Sequence, residues 1–223
     1  MCGRYTLSST PARINVRFEV TIDTHWKPSY NVAPGTDVLI IHDDAGDGGR
    51  IGEAAYWGFT PSWYKPDKPA PRPINARAEG LSGKPMFRNA FAKRRCLVPA
   101  NGFYEWKALA NGKQPWLIRM EDGDVFAFAG IFEPGNETTG NRPSCAIVTT
   151  AANDLMRPIH ARMPVILDAD DYAAWLDPQQ QATALEPLLR PRPLNNFVAF
   201  PVSRRVNNTK NNDESLILPV DQS

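Results

Sequence analysis

Short apolar runs separated by Gly, Pro and Asp breaks recur along most of the chain, and their lengths fit β-strands better than long helices. The clearest lie at residues 103–107, 116–120 and 125–132, all rich in aromatic and β-branched side chains. Asn111-Gly112 separates the first two, and Asp122-Gly123 the second and third. These dipeptides supply the positive φ angles of tight hairpins, so the three runs predict an antiparallel meander. Further strands are expected at 38–41, 53–57, 145–149, 164–167 and 197–202, with residues 42–50 a polar, glycine-rich surface loop. Helices are expected at 10–18, 85–94, 168–176 with Asp168 as cap, and 181–190. Hairpins outnumber strand–helix–strand units. The pattern therefore predicts an α+β fold with a mainly antiparallel, barrel-like sheet, peripheral helices and long proline-rich loops.

Composition sharpens this in three places. The 223 residues suit one domain, and 42% apolar with 22% charged residues is an ordinary globular balance. There are 21 prolines, and five fall in residues 60–73 beside Trp63 and Tyr64, which predicts a long ordered loop of the kind that usually carries function. The formal net charge of +1 gives no bulk attraction for nucleic acid, so any basic surface must come from local sorting of charge. No apolar stretch approaches the roughly 20 residues of a membrane span, and the start of the chain lacks a signal-peptide core. Together with three cysteines, an odd number, this predicts a cytoplasmic protein with free thiols and no membrane association.

Cys96 and Cys145 sit in apolar runs and read as buried small hydrophobes, whereas Cys2 has no such context. A small residue at position 2 permits removal of Met1, which leaves an α-amine and a thiol on one carbon skeleton. That amine titrates near about 7.7–8.0, so part of it is neutral and able to add to an aldehyde near neutral pH. The thiol can then close a five-membered thiazolidine, a step that a lysine cannot make. The alternative is an incidental terminus that frays. Glu105, mid-strand with Phe103 and Lys107 on its face, is either a proton shuttle or a solvated strand carboxylate paired with lysine. His160 is either an acid/base group or structural, and no histidine or cysteine spacing suggests a metal site. Asn75 and Arg77 share a face of an extended segment and suit a sugar-phosphate, against the simpler pairing of Arg77 with Glu79. Trp63 and Tyr64 are either core aromatics or groups that stack on bases.

Taken in order, the motifs Met1-Cys2-Gly3-Arg4-Tyr5, Tyr30-Asn31-Val32-Ala33-Pro34-Gly35, Trp57-Gly58-Phe59-Thr60-Pro61-Ser62-Trp63 and Ile74-Asn75-Ala76-Arg77-Ala78-Glu79 resemble the SOS response-associated peptidase family of abasic-site processing proteins. Gly102-Phe103-Tyr104-Glu105-Trp106, Ile159-His160-Ala161-Arg162-Met163-Pro164 and Pro201-Val202-Ser203-Arg204 continue the series to about residue 212. The resemblance implies a monomer that binds single-stranded DNA, or single-to-double-strand junctions, and captures the abasic aldehyde covalently without metal or organic cofactor. It implies Cys2 as nucleophile, Asn75 positioning the opened sugar and the amine, Glu105 transferring protons, and His160 assisting ring opening and Schiff-base chemistry. Arg4, Arg77 and Arg162 would hold phosphates, and Asn31, Pro34, Trp63, Tyr64, Trp106 and Ser203 would line the DNA path. Strand cleavage from the imine, a lyase activity, would compete with capture, and reversal of the crosslink would run through the same groups. The alternatives of another class are an N-terminal-nucleophile amidohydrolase of the glutaminase type, which also exposes Cys-Gly after Met removal, and an autoprocessing peptidase.

Overall fold

The structure, a computed structural model, describes residues 2–23, 25–44, 48–64 and 72–221, apart from the Thr138 side chain. The chain runs through β1 (Tyr5–Leu7), α1 (Pro11–Phe18), β2 (Val20–Thr21), β3 (Ser29–Val32), β4 (Asp37–Asp43), β5 (Arg50–Trp57) and β6 (Asn75–Arg77). It continues through α2 (Arg88–Lys93), β7 (Arg95–Ala100), β8 (Gly102–Leu109), β9 (Gly112–Met120), β10 (Phe126–Glu133) and β11 (Ser144–Ala151). The last elements are β12 (Arg162–Pro164), β13 (Ile166–Leu167), α3 (Tyr172–Leu176), α4 (Ala182–Leu185) and β14 (Phe197–Pro201). This is the expected α+β class.

One sheet has the order β14-β9-β8-β1-β3 and is antiparallel throughout. The other has the order β12-β11-β10-β7-β4-β5-β2, with β13 beside β10 and β6 beside β11. It curls far enough for β5 to meet β11 in parallel through Ser144↔Tyr56 and Cys145↔Trp57, which makes it a distorted, barrel-like sheet. The main core fills the space between the sheets and includes Tyr5, Trp57, Phe103, Ile118 and Phe128. A smaller cluster of Tyr104, Leu117, Val202, Val206 and Leu216 covers the opposite face of the first sheet. Alternation along β8 therefore divides Phe103 from Tyr104 between two cores, as the period of a strand requires.

The predicted meander is corrected at its third strand. β8 and β9 form the expected hairpin with Leu109 opposite Gly112, but β10 leaves for the other sheet and β14 takes the free edge of β9. All residues of Phe126–Glu133 are buried, and a strand buried along its whole length needs cover on both faces, which a central position provides. Gly130 admits that position, since a Cβ there would sit 2.7 Å from Cys96 Sγ on the neighbouring strand. Gly123 (φ 72°) still makes the turn, but the turn redirects the chain between sheets.

Helices are shorter than the periodicity predicts. α4 stops before Pro187, which lacks the N–H to continue it, and passes into a 3-10 turn. The Asp168 side chain makes no cap bond; instead its carboxylate pairs with Arg192 at 2.7 Å. The predicted 42–50 loop shrinks as well, because the β4–β5 ladder runs out to Asp43↔Arg50. His42 holds that extension by stacking on Phe132 at 4.6 Å and bonding Glu53 at 2.9 Å. The loop tip, 45–47, lies outside the described residues, as do 65–71 of the proline-rich loop.

Two helices depend on one buried cation. Arg95 is 2% exposed, and its guanidinium donates to Phe91 O and Ala92 O at the end of α2 (2.7 Å each) and to Trp175 O (2.6 Å) and Asp177 O at the end of α3. Helix C-termini carry unpaired carbonyls and partial negative charge, so one guanidinium serves both. Arg95→Met removes donors from several buried carbonyls, each costing about 1–3 kcal/mol when left unpaired. Urea denaturation should show a loss of roughly 3 kcal/mol or more; a loss under about 1 kcal/mol would reject this role.

Candidate active site

Cys2 does not fray. It is fully buried, and β1, just behind it, pairs with β3 on one side and β8 on the other. Asn75 reaches across from the other sheet, its Nδ2 donating to the Cys2 carbonyl at 2.9 Å. The Asn75 Oδ1 is buried and has no hydrogen-bond partner among the described residues, so one acceptor remains beside Cys2. Glu105 is also buried, which excludes the reading of a solvated strand carboxylate. Burial pushes the Cys2 thiol well above the ordinary range, and the negative charge of Glu105 pushes it further. The thiol is therefore held protonated, with a carboxylate close enough to feel it. Directly across the hairpin from Glu105 stands Trp116, whose buried indole N–H has no hydrogen-bond partner among the described residues. The pattern analysis missed Trp116, although the two-residue loop at Ala110 and Asn111 fixes its register with Glu105.

Along one end of the curled sheet, β6, β11 and β12 are adjacent, with Thr149 opposite Arg77 and Ala151 opposite Arg162. Asn75 and Arg77 share a face of β6, as expected for an extended segment. Arg77 is exposed and makes no ion pair among the described residues. Glu79 pairs with Arg162 instead, at 2.5 and 3.0 Å, and Arg162 also donates to Thr149 O at 2.7 Å. Hydrogen bonding to Arg162 holds the Glu79 carboxyl below its usual range. His160 precedes β12, and its Nδ1 lies 3.0 Å from both the backbone N–H and the carbonyl oxygen of Arg162.

The remaining predicted residues divide by exposure. Trp63 is 57% exposed and Tyr64 half-buried, with their rings 6.5 Å apart. Trp63 has therefore not joined the core. Pro34 is half-buried and lines a cleft of about 570 Å³ with Trp26 and Lys27. Asn31 is buried, and its amide is occupied internally: Nδ2 donates to the carbonyls of Val206, Asn208 and Asn211. Arg4 is half-buried, donates to Asn31 Oδ1 and Val206 O at 2.8 Å each, and lies 6.0 Å from the Trp106 ring centroid. Trp106 donates to Asn207 Oδ1 at 2.8 Å, and Ser203 caps the turn after β14 by accepting from the Arg205 N–H. Arg4, Asn31 and Trp106 thus fasten the C-terminal segment beside the Cys2 strand, while the Ser203 bond is local to that segment. Among the described residues, no three His, Cys, Asp or Glu side chains are grouped to hold a metal ion. No helix among them is long and apolar enough to cross a membrane.

Two packed layers that bury a cysteine at position 2, under an asparagine amide and beside a carboxylate, define a class of protein built around its amino terminus. The chain belongs to the SOS response associated peptidase (SRAP) family, whose model matches residues 1–209. It is 42% identical to the abasic site processing protein YoqW of Bacillus subtilis, over 97% of this chain and 99% of that one. It is 33% identical to the abasic site processing protein YedK of Escherichia coli, over 99% and 100%. Against the abasic site processing protein HMCES of Gallus gallus, identity is 30% over 99% and 78%. A solved Bacteroides thetaiotaomicron protein superimposes with a TM-score of 0.88 at 25% identity, covering 98% of this chain and all of that one.

The buried thiols carry a consequence for pH. Burial raises Cys2, Cys96 and Cys145 in the folded state, whereas unfolded thiols ionise near about 8.5. A folded-state value above the unfolded one gives stability that is complete below about 8.5 and lost as pH rises beyond it. Urea midpoints should therefore hold steady from pH 7 to 8 and fall by pH 10. An unchanged midpoint at pH 10 would show that the thiols ionise freely in the fold.

Proposed function

We propose that this protein processes abasic sites in single-stranded DNA by covalent capture, once Met1 has been removed. The carrying observation is the burial of Cys2 with the Asn75 amide on its carbonyl and Glu105 beside it. The names of the relatives support the abasic site as substrate. The neutral Cys2 amine adds to the C1′ aldehyde of the opened sugar, and loss of one water gives the imine. The S–H then adds across the C=N bond: sulfur bonds to carbon, and the proton ends on nitrogen. A thiol held protonated needs a base to release it, and the Glu105 carboxylate serves as that base. The aldehyde is mostly masked as a cyclic hemiacetal, so ring opening needs a further proton donor and acceptor. His160 is the donor in this scheme. The buried Oδ1 of Asn75 accepts from the Cys2 amine or the sugar hydroxyl, and Arg77 binds a flanking phosphate. If the imine eliminates its β-phosphate before the thiol closes, the strand is cut, and the protein acts as a lyase.

Mature protein mixed with abasic single-stranded DNA should give a shifted band on a denaturing gel. The band should be absent for Cys2→Ala, for protein that keeps Met1 and for undamaged DNA. Lack of the band with mature wild-type protein would sink the proposal. Glu105→Gln should slow adduct formation at least tenfold while the native thermal transition is retained. A rate equal to wild type would remove Glu105 from proton transfer. The family description favours one competing reading, self-removal of Met1. Mass spectrometry of protein made without an aminopeptidase tests it, since a retained Met1 counts against self-processing.

A further inference from the structure

Beyond Glu105, β8 continues into a cleft of about 510 Å³ that the chemistry above does not use. Its walls include Lys107 from β8, Gln114 and Trp116 from β9, and Ser203 and Arg204 from the turn after β14. Lys107 follows Glu105 on the same face of β8, and in that register Trp116 and Gln114 stand opposite them. The Lys107 ammonium lies 5.5 Å from the Trp116 ring centroid. Neither Lys107 nor Arg204 makes an ion pair among the described residues, while Asp221 is the one acidic group in the lining. The cleft therefore carries a local excess of positive charge. Leu109 (45% exposed) and Val220 (37%) add solvent-facing apolar surface to the same walls.

We propose that this cleft is a subsite for the nucleotide adjoining the abasic position, with its phosphate held between Lys107 and Arg204 and its base against Leu109 and Val220. The inference rests on the reading of the protein as a single-stranded DNA processor. Two residues along a strand advance about 6.8 Å, close to the spacing of successive phosphates in an extended strand. The volume lies within the ordinary range for small-ligand clefts. Cations joined to an apolar surface match a nucleotide, which combines a charged backbone with a flat base.

The test uses five-nucleotide strands with a central, unreactive tetrahydrofuran in place of the abasic sugar. Matching strands are truncated on the 5′ or the 3′ side. Lys107→Ala/Arg204→Ala should bind the full strand about tenfold more weakly than wild type, with a salt slope shallower by about 0.7. On one of the two truncated strands, variant and wild type should bind alike, because the nucleotide that the cleft holds is missing. Equal affinities on the full strand, or the same loss on both truncated strands, would overturn the subsite. Failure of the wild-type protein to crosslink natural abasic DNA would instead overturn the proposed function, which this binding comparison does not measure.

Discussion

The hydrogen bond from Asn75 Nδ2 to the Cys2 carbonyl joins the amino terminus to the opposite sheet, and much of the fold serves to keep that joint closed. A chain terminus gains little by ordering and ordinarily frays. Here β1 is flanked by β3 and β8, and Tyr5 packs edge-on against Trp57 and Phe128 across the core. Asn75 is itself placed by the parallel pairing of β6 with β11, while the Trp57 indole bonds the carbonyl of the preceding residue, Ile74, at 2.8 Å. Moving Cys2 would therefore disturb both sheets. Rigidity of this kind holds the groups of Cys2 in one place relative to both sheets.

The same requirement explains why polar side chains are buried near the terminus. Asn31 binds three carbonyls of the C-terminal segment, and Arg4 shares one of them, Val206 O. A segment with few apolar residues cannot be held by a core alone, so its backbone is fastened by amide and guanidinium donors. Burial lowers the Arg4 guanidinium from its ordinary value, but these acceptors and the nearby Trp106 face compensate. A guanidinium so occupied orders the segment beside the site, whereas Arg77 is exposed and makes no ion pair among the described residues.

The α+β class, the β8–β9 hairpin and the buried state of Cys96 and Cys145 were legible from periodicity and turn residues. The sheet assignment of β10 was not, because a turn dipeptide fixes a reversal of direction and not the partner strand. Glu105 was legible as a strand residue on the face of Phe103, but its burial depends on the second sheet closing over it, a long-range fact that no local pattern carries. The ordered motifs marked Asn31, Arg4 and Arg162 as ligand contacts. Their hydrogen-bond partners, brought in from 27 to 202 residues away, show that they hold the structure.

Net charge misleads for the same reason. A total of +1 looks neutral, yet it sums two unlike populations. Arg13, Arg142, Arg162, Arg192 and Arg205 are paired with carboxylates, and Arg95 is sealed inside with backbone carbonyls. Arg77, Lys107 and Arg204 have no such partners among the described residues. Paired charges cancel beyond a few ångströms in salt, so an approaching polyanion responds chiefly to the unpaired ones. A near-neutral chain can therefore still present unpaired cations on its surface while avoiding the indiscriminate attraction of a strongly basic protein.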